Sequence, residues 1–189
     1  MGRKEMRAGE AMADNRILSR KIAFTTPWFD VVAKQTSNDT QPFYALRMTD
    51  YVSVVAFTKA DELVLVRQYR PVVERYTIEL PSGHVEANET PQKAAERELE
   101  EECGLVGTMK LLGTLISDTG RNENRLWCYL AQEVLPANPR HVAEIGVQRL
   151  FVPRNEIGAL IRESRLEHAL DLAALMLVFT NHVGLISAR

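Results

Sequence analysis

The chain has 189 residues, of which 46% are hydrophobic, and this composition permits a buried core and argues against wholesale disorder. Its 23 basic and 25 acidic residues give a net charge of -2, which argues against a duplex nucleic-acid binder with its strong basic excess. No apolar stretch of the sequence is long enough to span a bilayer, and the charged N-terminus predicts no secretory signal. Two cysteines without a disulfide framework suit a reducing cytosol, so we expect a cytoplasmic protein.

The N-terminal quarter of the chain differs in pattern from the rest. Residues 1–15 are polar and mixed in charge, which predicts a mobile tail. From Ile17 to Gln35 the sequence is rich in β-forming residues and is interrupted by Pro27. We therefore interpret residues 16–49 as a small N-terminal β extension and residues 50–189 as the main domain.

Strands are predicted in the main domain from runs of β-branched and aromatic residues that are bounded by turn residues. The predicted strands are Tyr51–Phe57, Leu63–Tyr69, Tyr76–Leu80, Lys110–Ser117, Arg125–Gln132 and Gly146–Val152. The polar residues between the first two strands predict a β-hairpin.

Helices are predicted between and after these strands. The first runs from Pro91 to Cys103, because Thr90 suits an N-cap, proline suits the first helical position and Gly104 suits a left-handed C-cap. The other two are Asn155–Glu163, with Asn155 as its N-cap, and Leu166–Asn181. The order of strands, helix, strands and helices predicts an α+β fold in which a mixed β-sheet is flanked by helices.

The first predicted helix carries an acidic face. Glu98 and Glu102 are one turn apart and Glu101 lies on the same face, whereas Glu100 points toward solvent. Like charges at this spacing destabilise a helix by roughly 0.2–0.5 kcal/mol per pair. A divalent cation reverses that repulsion, because carboxylate oxygens are natural ligands of Mg²⁺ and Mn²⁺. A solvated helix face is the alternative, and the cluster by itself leaves both interpretations open.

The residues around this helix extend the pattern over 23 positions. Five residues separate Gly83 from Glu89, seven separate Glu89 from Arg97, and Arg97 leads directly into Glu98–Leu105. This spacing resembles the complete Nudix box, in which glycine, glutamate, Arg-Glu, an aliphatic residue, Glu-Glu, glycine and an aliphatic residue occupy fixed positions. The chain is therefore identified as a member of the Nudix hydrolases, whose α/β/α sandwich agrees with the predicted order of elements.

The resemblance implies roles for the charged residues of the box. Glu98 and Glu102 are expected to be the principal ligands of Mg²⁺ or Mn²⁺, and Glu101 a further ligand or a general base. Arg97 is expected to orient a box glutamate through a bidentate pair, with a plain surface ion pair as the alternative. Glu89 is expected to hold the box residues in place without binding the metal itself.

Two segments before the helix resemble the ADP-ribose and nucleotide-sugar branch of the family. The stretch Arg67–Arg70 contains the Gln-Tyr-Arg motif with which members of this branch end a strand. The stretch Glu79–Gly83 matches the Glu-Leu-Pro-x-Gly motif that leads into their box. In this branch the backbone carbonyl before the box glycine binds metal, which here implies Ser82. The resemblance also implies that Arg70 lies near the phosphates and that Arg67 or Glu79 lies near the nucleoside or a dimer interface. Gly83 itself is expected to allow a tight backbone turn that a side chain would obstruct.

Residues beyond the box complete the expected site. Members of the branch often place the general base in a later loop, which here implies Glu144, with Glu101 as the alternative. The loop around Arg121 lacks a proline that is common in ADP-ribose pyrophosphatases, and its polar residues suit a phosphate or a sugar. His84 is expected to face the substrate or solvent, and His168 to lie on a helix surface or at an interface.

The expected activity is hydrolysis of the diphosphate linkage of ADP-ribose or a nucleoside diphosphate sugar, with Mg²⁺ or Mn²⁺ as cofactor. The products would be a nucleoside monophosphate and a sugar phosphate. One alternative is a nucleoside triphosphate pyrophosphohydrolase that clears damaged nucleotides, and another is a non-catalytic nucleotide-binding module. The branch also implies a homodimer in which the N-terminal β extension is exchanged or packs across the interface, with no nucleic-acid or membrane partner.

Overall fold

The computed structural model describes residues 15–137 and 144–181. As far as these residues reach, the chain forms two compact units, Met1–Met48 with Gly120–Glu123, and Thr49–Thr119 with Asn124–Arg189. The first 14 residues, which belong to the predicted tail, lie outside the described part of the chain.

The smaller unit is a three-stranded antiparallel sheet. Its strands follow the chain order β1 (Ile17–Thr25), β2 (Asp30–Thr36) and β3 (Phe43–Arg47). Glu123 binds Lys34 Nζ at 2.5 Å and Arg47 Nε at 3.0 Å, so it links the second strand to the third. The third strand was not predicted, because five residues are too short a pattern to distinguish from a loop.

The larger unit is built on a mixed sheet. Its strands are β4 (Tyr51–Thr58), β5 (Glu62–Arg70), β6 (Arg75–Glu79), β7 (Ser82–His84), β8 (Leu105–Val106), β9 (Met109–Ile116), β10 (Arg125–Pro136) and β11 (Gln148–Pro153). The central path is β11-β5-β4-β10-β8, and β6, β7 and β9 pair with β5, β4 and β10 respectively. The pairing of β4 with β10 is parallel, whereas the pairings of β5 with its neighbours are antiparallel.

The helices of the larger unit are α1 (Pro91–Cys103), α2 (Ile157–Arg162) and α3 (Ala169–Asn181), with a 3-10 turn at Arg154–Glu156. The predicted bounds of α1 are confirmed, because the Thr90 hydroxyl accepts the Lys93 N–H at 3.3 Å and Gly104 adopts a left-handed φ of 63°. The N-cap predicted at Asn155 was wrong, since this residue lies inside the 3-10 turn and α2 has no side-chain cap. Within the described ranges, no helix has the length and apolarity needed to cross a membrane.

Alternate side chains of the sheet face two different helical layers. Val54 of β4 belongs to the core cluster that includes Leu99 of α1. Its neighbour Val55 belongs to the opposite cluster, which includes Leu175 of α3. The larger unit is therefore an α/β/α sandwich, and the predicted fold class is confirmed.

Candidate active site

A cavity of about 330 Å³ is lined by residues of β4, β5, β7 and α1, together with Glu86 and Glu144. Its acidic lining residues are Glu86, Glu98, Glu102 and Glu144, and its guanidinium groups belong to Arg70 and Arg97. Carboxylates therefore outnumber guanidinium groups in this lining. An excess of negative charge repels a phosphate group unless a cation intervenes.

Arg97 is the centre of an ionic network at the edge of this cavity. Its Nε and Nη2 hold the two Glu89 oxygens at 3.1 and 3.0 Å in a bidentate pair. Its Nη1 donates to Glu98 Oε1 at 2.8 Å and to Glu101 Oε2 at 3.0 Å. Its Nη2 also donates to the His84 carbonyl at 2.9 Å, which ties α1 to the end of β7. The hydrogen bonds to Glu89 are the largest cause of the raised pKa of Arg97.

Glu102 is the most enclosed of the cavity carboxylates and is 4% exposed. The Ser82 N–H donates to its Oε2 at 3.0 Å, and no described residue forms an ion pair with it. Burial raises the pKa of Glu102 to about 8, and repulsion from Glu98 and Glu144 acts in the same direction. The Arg70 charge acts on Glu102 only from a distance and partly offsets this rise, and a buried carboxylate without a direct ion pair favours either a proton or a bound cation.

Glu98 lies directly against Gly83. A Cβ atom at position 83 would lie 1.9 Å from Glu98 Oε1, so any larger residue there must displace the carboxylate. Gly83 belongs to β7, and its φ does not lie in the left-handed region. Glycine is needed at this position because Glu98 approaches the backbone, and not because of the tight turn that the sequence predicted.

The acidic side chains have the right chemistry for a divalent cation but are not yet gathered around one. Among the described residues, no three carboxylate, histidine or cysteine side chains converge closely enough to hold a metal ion. The cause is orientation, since Glu98 and Glu101 face Arg97 while Glu102 faces a backbone N–H. All three of Glu98, Glu102 and Glu144 line the same cavity, and burial raises the pKa of Glu98 and of Glu102, with repulsion from Glu144 acting in the same direction. Hard divalent cations prefer such oxygen donors, so the donor set fits once Glu98 turns away from Arg97.

Arg70 reaches the cavity from the end of β5 and is held by Glu79. Its Nε and Nη2 donate to the Glu79 carboxylate at 3.0 and 2.6 Å, and the Thr77 hydroxyl donates to the same group at 2.5 Å. Burial by itself would raise the pKa of Glu79, but these hydrogen bonds lower it below its usual value. The Arg70 side chain remains 41% exposed, so its guanidinium is fixed in place and still accessible from the cavity.

Two predicted substrate-binding arginines lie elsewhere. Arg67 is exposed on β5, and its guanidinium carbon lies 4.1 Å from the centre of the Tyr76 ring rather than in the cavity lining. Arg121 belongs to the smaller unit, where its carbonyl accepts the Leu46 N–H at 2.7 Å. The roles expected for both residues stay predictions.

Tyr51 and Gln68 line the cavity although they were not predicted from the sequence, and His84, which was expected to face either the substrate or solvent, also lines it. The Tyr51 ring lies 4.2 Å from the His84 ring, and His84 Nδ1 lies 2.7 Å from the Thr49 hydroxyl. Burial lowers the pKa of His84, which favours its neutral form. Gln68 has a buried amide nitrogen for which no described residue is a hydrogen-bond partner. Because side chains alternate along a strand, Gln68 lies on the same face of β5 as Arg70, and this alternation could have predicted Gln68 from the sequence. Nothing in the sequence pointed to Tyr51.

Several proteins of similar sequence are named as pyrophosphatases of ADP-ribose or of ADP-sugars. ADP-ribose pyrophosphatases of Saccharomyces cerevisiae and Bacillus subtilis are 39% and 32% identical over 93 and 84 residues, which are 46% and 44% of this chain. An ADP-sugar pyrophosphatase of Mus musculus is 49% identical over 45 residues, which are 24% of this chain. The matched regions span only 39%, 45% and 21% of the length of these three relatives.

The fold and the domain family are shown by two wider matches. The crystal structure of an ADP compounds hydrolase superposes with a TM-score of 0.80 at 22% identity, covering 93% of this chain and 98% of that one. The similarity confirms the predicted fold. The sequence profile of the NUDIX domain matches residues 48–172, which is more than half of the chain. The chain therefore belongs to the NUDIX family, as its glycine, arginine and glutamate spacing indicated.

Proposed function

We propose that this protein hydrolyses the diphosphate linkage of ADP-ribose or of a nucleoside diphosphate sugar, in a reaction that requires Mg²⁺ or Mn²⁺. The products are a nucleoside monophosphate and a sugar phosphate. The observation that carries this proposal is the buried Glu102 carboxylate, which faces the cavity beside Glu98 and Glu144 without a cationic partner among the described residues. The names of the similar ADP-ribose and ADP-sugar pyrophosphatases support the substrate class.

The cation is proposed to bind Glu98 and Glu102, with the Ser82 carbonyl and Glu101 as further ligands. When bound, it supplies neutralisation of the diphosphate charge and Lewis-acid activation of the phosphorus. Before it binds, Arg97 holds Glu98 and Glu101 at the cavity edge through its Nη1 hydrogen bonds. The Arg97 network therefore keeps the Glu98 and Glu101 carboxylates beside the cavity but apart from Glu102.

Glu144 is proposed as the general base that takes the proton of the attacking water. It lines the cavity, and its charge acts on both Glu98 and Glu102. Loss of a placed base costs roughly 10²–10⁴ in rate. Glu101 is the alternative base, and the rates of Glu144→Gln and Glu101→Gln decide between them.

The remaining cavity residues are proposed to orient the substrate. Arg70, fixed by Glu79, is placed to contact a phosphate oxygen. Gly83 leaves room for Glu98, and its own backbone forms part of the lining. Arg67 and Arg121 are proposed to act at the nucleoside or sugar end of the substrate.

Dimerisation through the smaller unit is a second part of the proposal. Ile22 and Phe24 of β1 are 57% and 62% exposed, and Trp28 in the connection to β2 is 74% exposed; such a group of exposed apolar side chains is typical of an interface. Phe24→Asp is expected to convert a dimer into a monomer in light scattering. The free and buried thiols Cys103 and Cys128 suit a reducing compartment, which supports the proposal of a cytoplasmic location.

The deciding experiment measures product release from a panel of substrates with Mg²⁺, with Mn²⁺ and with a chelator. The panel contains ADP-ribose, ADP-glucose, GDP-mannose, UDP-glucose, NADH, a dinucleoside polyphosphate and 8-oxo-dGTP. Cleavage of the diphosphate sugars is expected, and Glu102→Gln should lower the rate by at least about 10²-fold because several kcal/mol of charge stabilisation are lost. The matched control is Glu100→Gln, an exposed glutamate on the same helix, which should leave the rate unchanged.

Two other outcomes of this panel contradict the proposal. Cleavage of the triphosphate alone would identify a nucleoside triphosphate pyrophosphohydrolase. Absence of any cleavage by folded protein that still binds nucleotide would identify a binding module.

A further inference from the structure

Asp171 is a buried acid that the proposed reaction does not use. It lies in the first turn of α3 and is 0% exposed. Its Oδ2 accepts the Leu80 N–H at 2.9 Å, although the two residues are 91 positions apart in the chain. A buried carboxylate is costly unless hydrogen bonds or opposite charges offset the loss of water. The position of Asp171 therefore calls for a physical explanation.

Leu80 begins the segment that leads to the acidic cavity. The next residue, Pro81, accepts the Val54 N–H at its carbonyl at 2.9 Å. The Ser82 N–H then donates to Glu102 Oε2 at 3.0 Å. Consecutive backbone groups of this segment are thus fixed by α3, β4 and α1 in turn. Loss of the α3 contact leaves the buried Leu80 N–H, which lies between β6 and β7, without this acceptor.

His168 holds Asp171 in this position. Its Nδ1 lies 3.1 Å from Asp171 Oδ1, while its carbonyl accepts the N–H groups of Asp171 and Leu172, both at 3.1 Å. The His168 side chain therefore faces the second carboxylate oxygen of Asp171 and forms an ion pair with it when the imidazole is protonated, whereas the first turn of α3 is held by the His168 backbone carbonyl. The His168 side chain is 44% exposed, so its removal leaves the hydrophobic core intact.

We propose that Asp171, held by His168, is a positioning residue for the cation site. By fixing the Leu80 N–H it sets where the Ser82 backbone meets Glu102, and so how well the cavity carboxylates gather around a divalent cation. This inference rests on the proposed metal-dependent function. Leu80 and Asp171 are both fully buried in close-packed surroundings, so a change at Asp171 is transmitted along the backbone rather than lost to solvent.

The test is Mn²⁺ binding by the full chain without substrate, followed by electron paramagnetic resonance of the free ion. Asp171→Ala is expected to weaken Mn²⁺ binding by roughly 10–100-fold, as is usual when a group that orients a metal ligand is removed. Asp171→Asn keeps an oxygen that accepts the Leu80 N–H, so its affinity should stay within about threefold of the wild type. The matched control is Val178→Ala, a buried residue two turns further along α3, which should lower the melting temperature and leave Mn²⁺ affinity unchanged.

Each outcome decides the inference. If Asp171→Ala melts earlier but binds Mn²⁺ like the wild type, Asp171 has only a structural role and the inference is wrong. If that variant does not fold, His168→Ala decides, with an expected loss of about three- to tenfold supporting the inference and an unchanged affinity overturning it. If the wild type itself binds no Mn²⁺, the proposed function fails first, and the inference fails with it.

Discussion

The helices α1 and α3 have the same length of 13 residues and pack on opposite faces of one sheet, but different forces hold them. On α1 the buried apolar residues are mostly small, and its position depends on an N-cap, a left-handed C-cap and the Arg97 network. On α3 the buried residues include Leu175 and Val178, and packing dominates. The helix that carries the acidic face is thus fixed by directional polar contacts, which hold its carboxylates apart from one another. The other helix, α3, is fixed mainly by apolar burial, although Asp171 also binds the Leu80 N–H.

Removal of a core side chain from α3 should give the largest change in stability. Leu175→Ala is expected to destabilise the protein by about 3 kcal/mol, because a fully buried leucine leaves a cavity. The melting temperature should then fall by roughly 6–12 °C, while kcat of the folded protein at 25 °C stays near the wild-type value. Calorimetry and initial rates measure the two quantities. A large fall in kcat with a small change in melting temperature would mean that α3 acts mainly on the site.

Removal of the Arg97 network on α1 should have the opposite effect, in which activity changes more than stability does. Arg97→Ala is expected to lower activity by roughly 10–100-fold, since Glu98 and Glu101 are no longer held at the cavity edge and α1 loses its contacts with Glu89 and the His84 carbonyl. Lys93→Ala is the matched control, because Lys93 and Glu96 form an exposed pair at 2.8 Å on the same helix. Such a surface pair contributes about 0–1 kcal/mol and should not affect the rate. Equal losses in the two variants would contradict the special position of Arg97.

The pH dependence of stability should report the buried carboxylate of α1. In the folded, metal-free protein the pKa of Glu102 is raised from 4.5 to about 8, so folding favours its protonated form. The contribution of the protonated Glu102 carboxyl to stability is complete below its pKa in the unfolded chain, 4.5. It is lost as the pH rises through its pKa in the folded protein, about 8. We therefore expect the melting temperature in chelator to fall between pH 5 and pH 8.5, with each pKa unit worth about 1.4 kcal/mol.

The matched variant for this pH series is Glu102→Gln, which cannot titrate at this position. Its melting temperature should fall less over the same interval, and saturating Mg²⁺ should raise the melting temperature of the wild type most at the upper end. Parallel curves for the wild type and the variant in chelator would show that Glu102 does not titrate in this range.

The smallest expected effect concerns the close approach of Glu98 to the chain. Gly83→Ala places a Cβ atom 1.9 Å from the present position of Glu98 Oε1, so the carboxylate must swing aside. The side chain is flexible, and stability should change by less than about 1 kcal/mol. Mn²⁺ affinity, measured by titration, should nevertheless fall several-fold because a proposed ligand is displaced. An unchanged affinity would mean that Glu98 moves on cation binding to a position that tolerates alanine.

The sequence predicted α1 to the residue because its signals are local. A hydroxyl N-cap, a proline and a C-terminal glycine all act within one turn of Thr90 or Gly104. The start of α3 was placed at Leu166 rather than Ala169, since His168 and Asp171 define that turn through contacts with each other and, for Asp171, with the distant Leu80 N–H. Local patterns do not contain such contacts.

The same distinction applies to the candidate site. Fixed spacing was enough to single out the glutamates of α1 and the arginine that binds them. The cavity also takes in Tyr51, Gln68 and Glu86, which are brought to it by strand pairing and loop packing. Prediction of these residues requires the register of the sheet, and short strands such as β7 give no periodic signal from which to obtain it.

The parallel pairing of β4 with β10 affects the order in which the protein forms during synthesis. Tyr51 pairs with Leu126, and Asp50 accepts both the Arg125 N–H and the Trp127 indole N–H. A nascent chain that has emerged only as far as α1 therefore contains the whole acidic motif but leaves one edge of β4 open. Open strand edges pair readily with other chains, and loops this long close slowly. Translation beyond β10 is thus the step that protects β4, and ribosome pausing before it should favour aggregation.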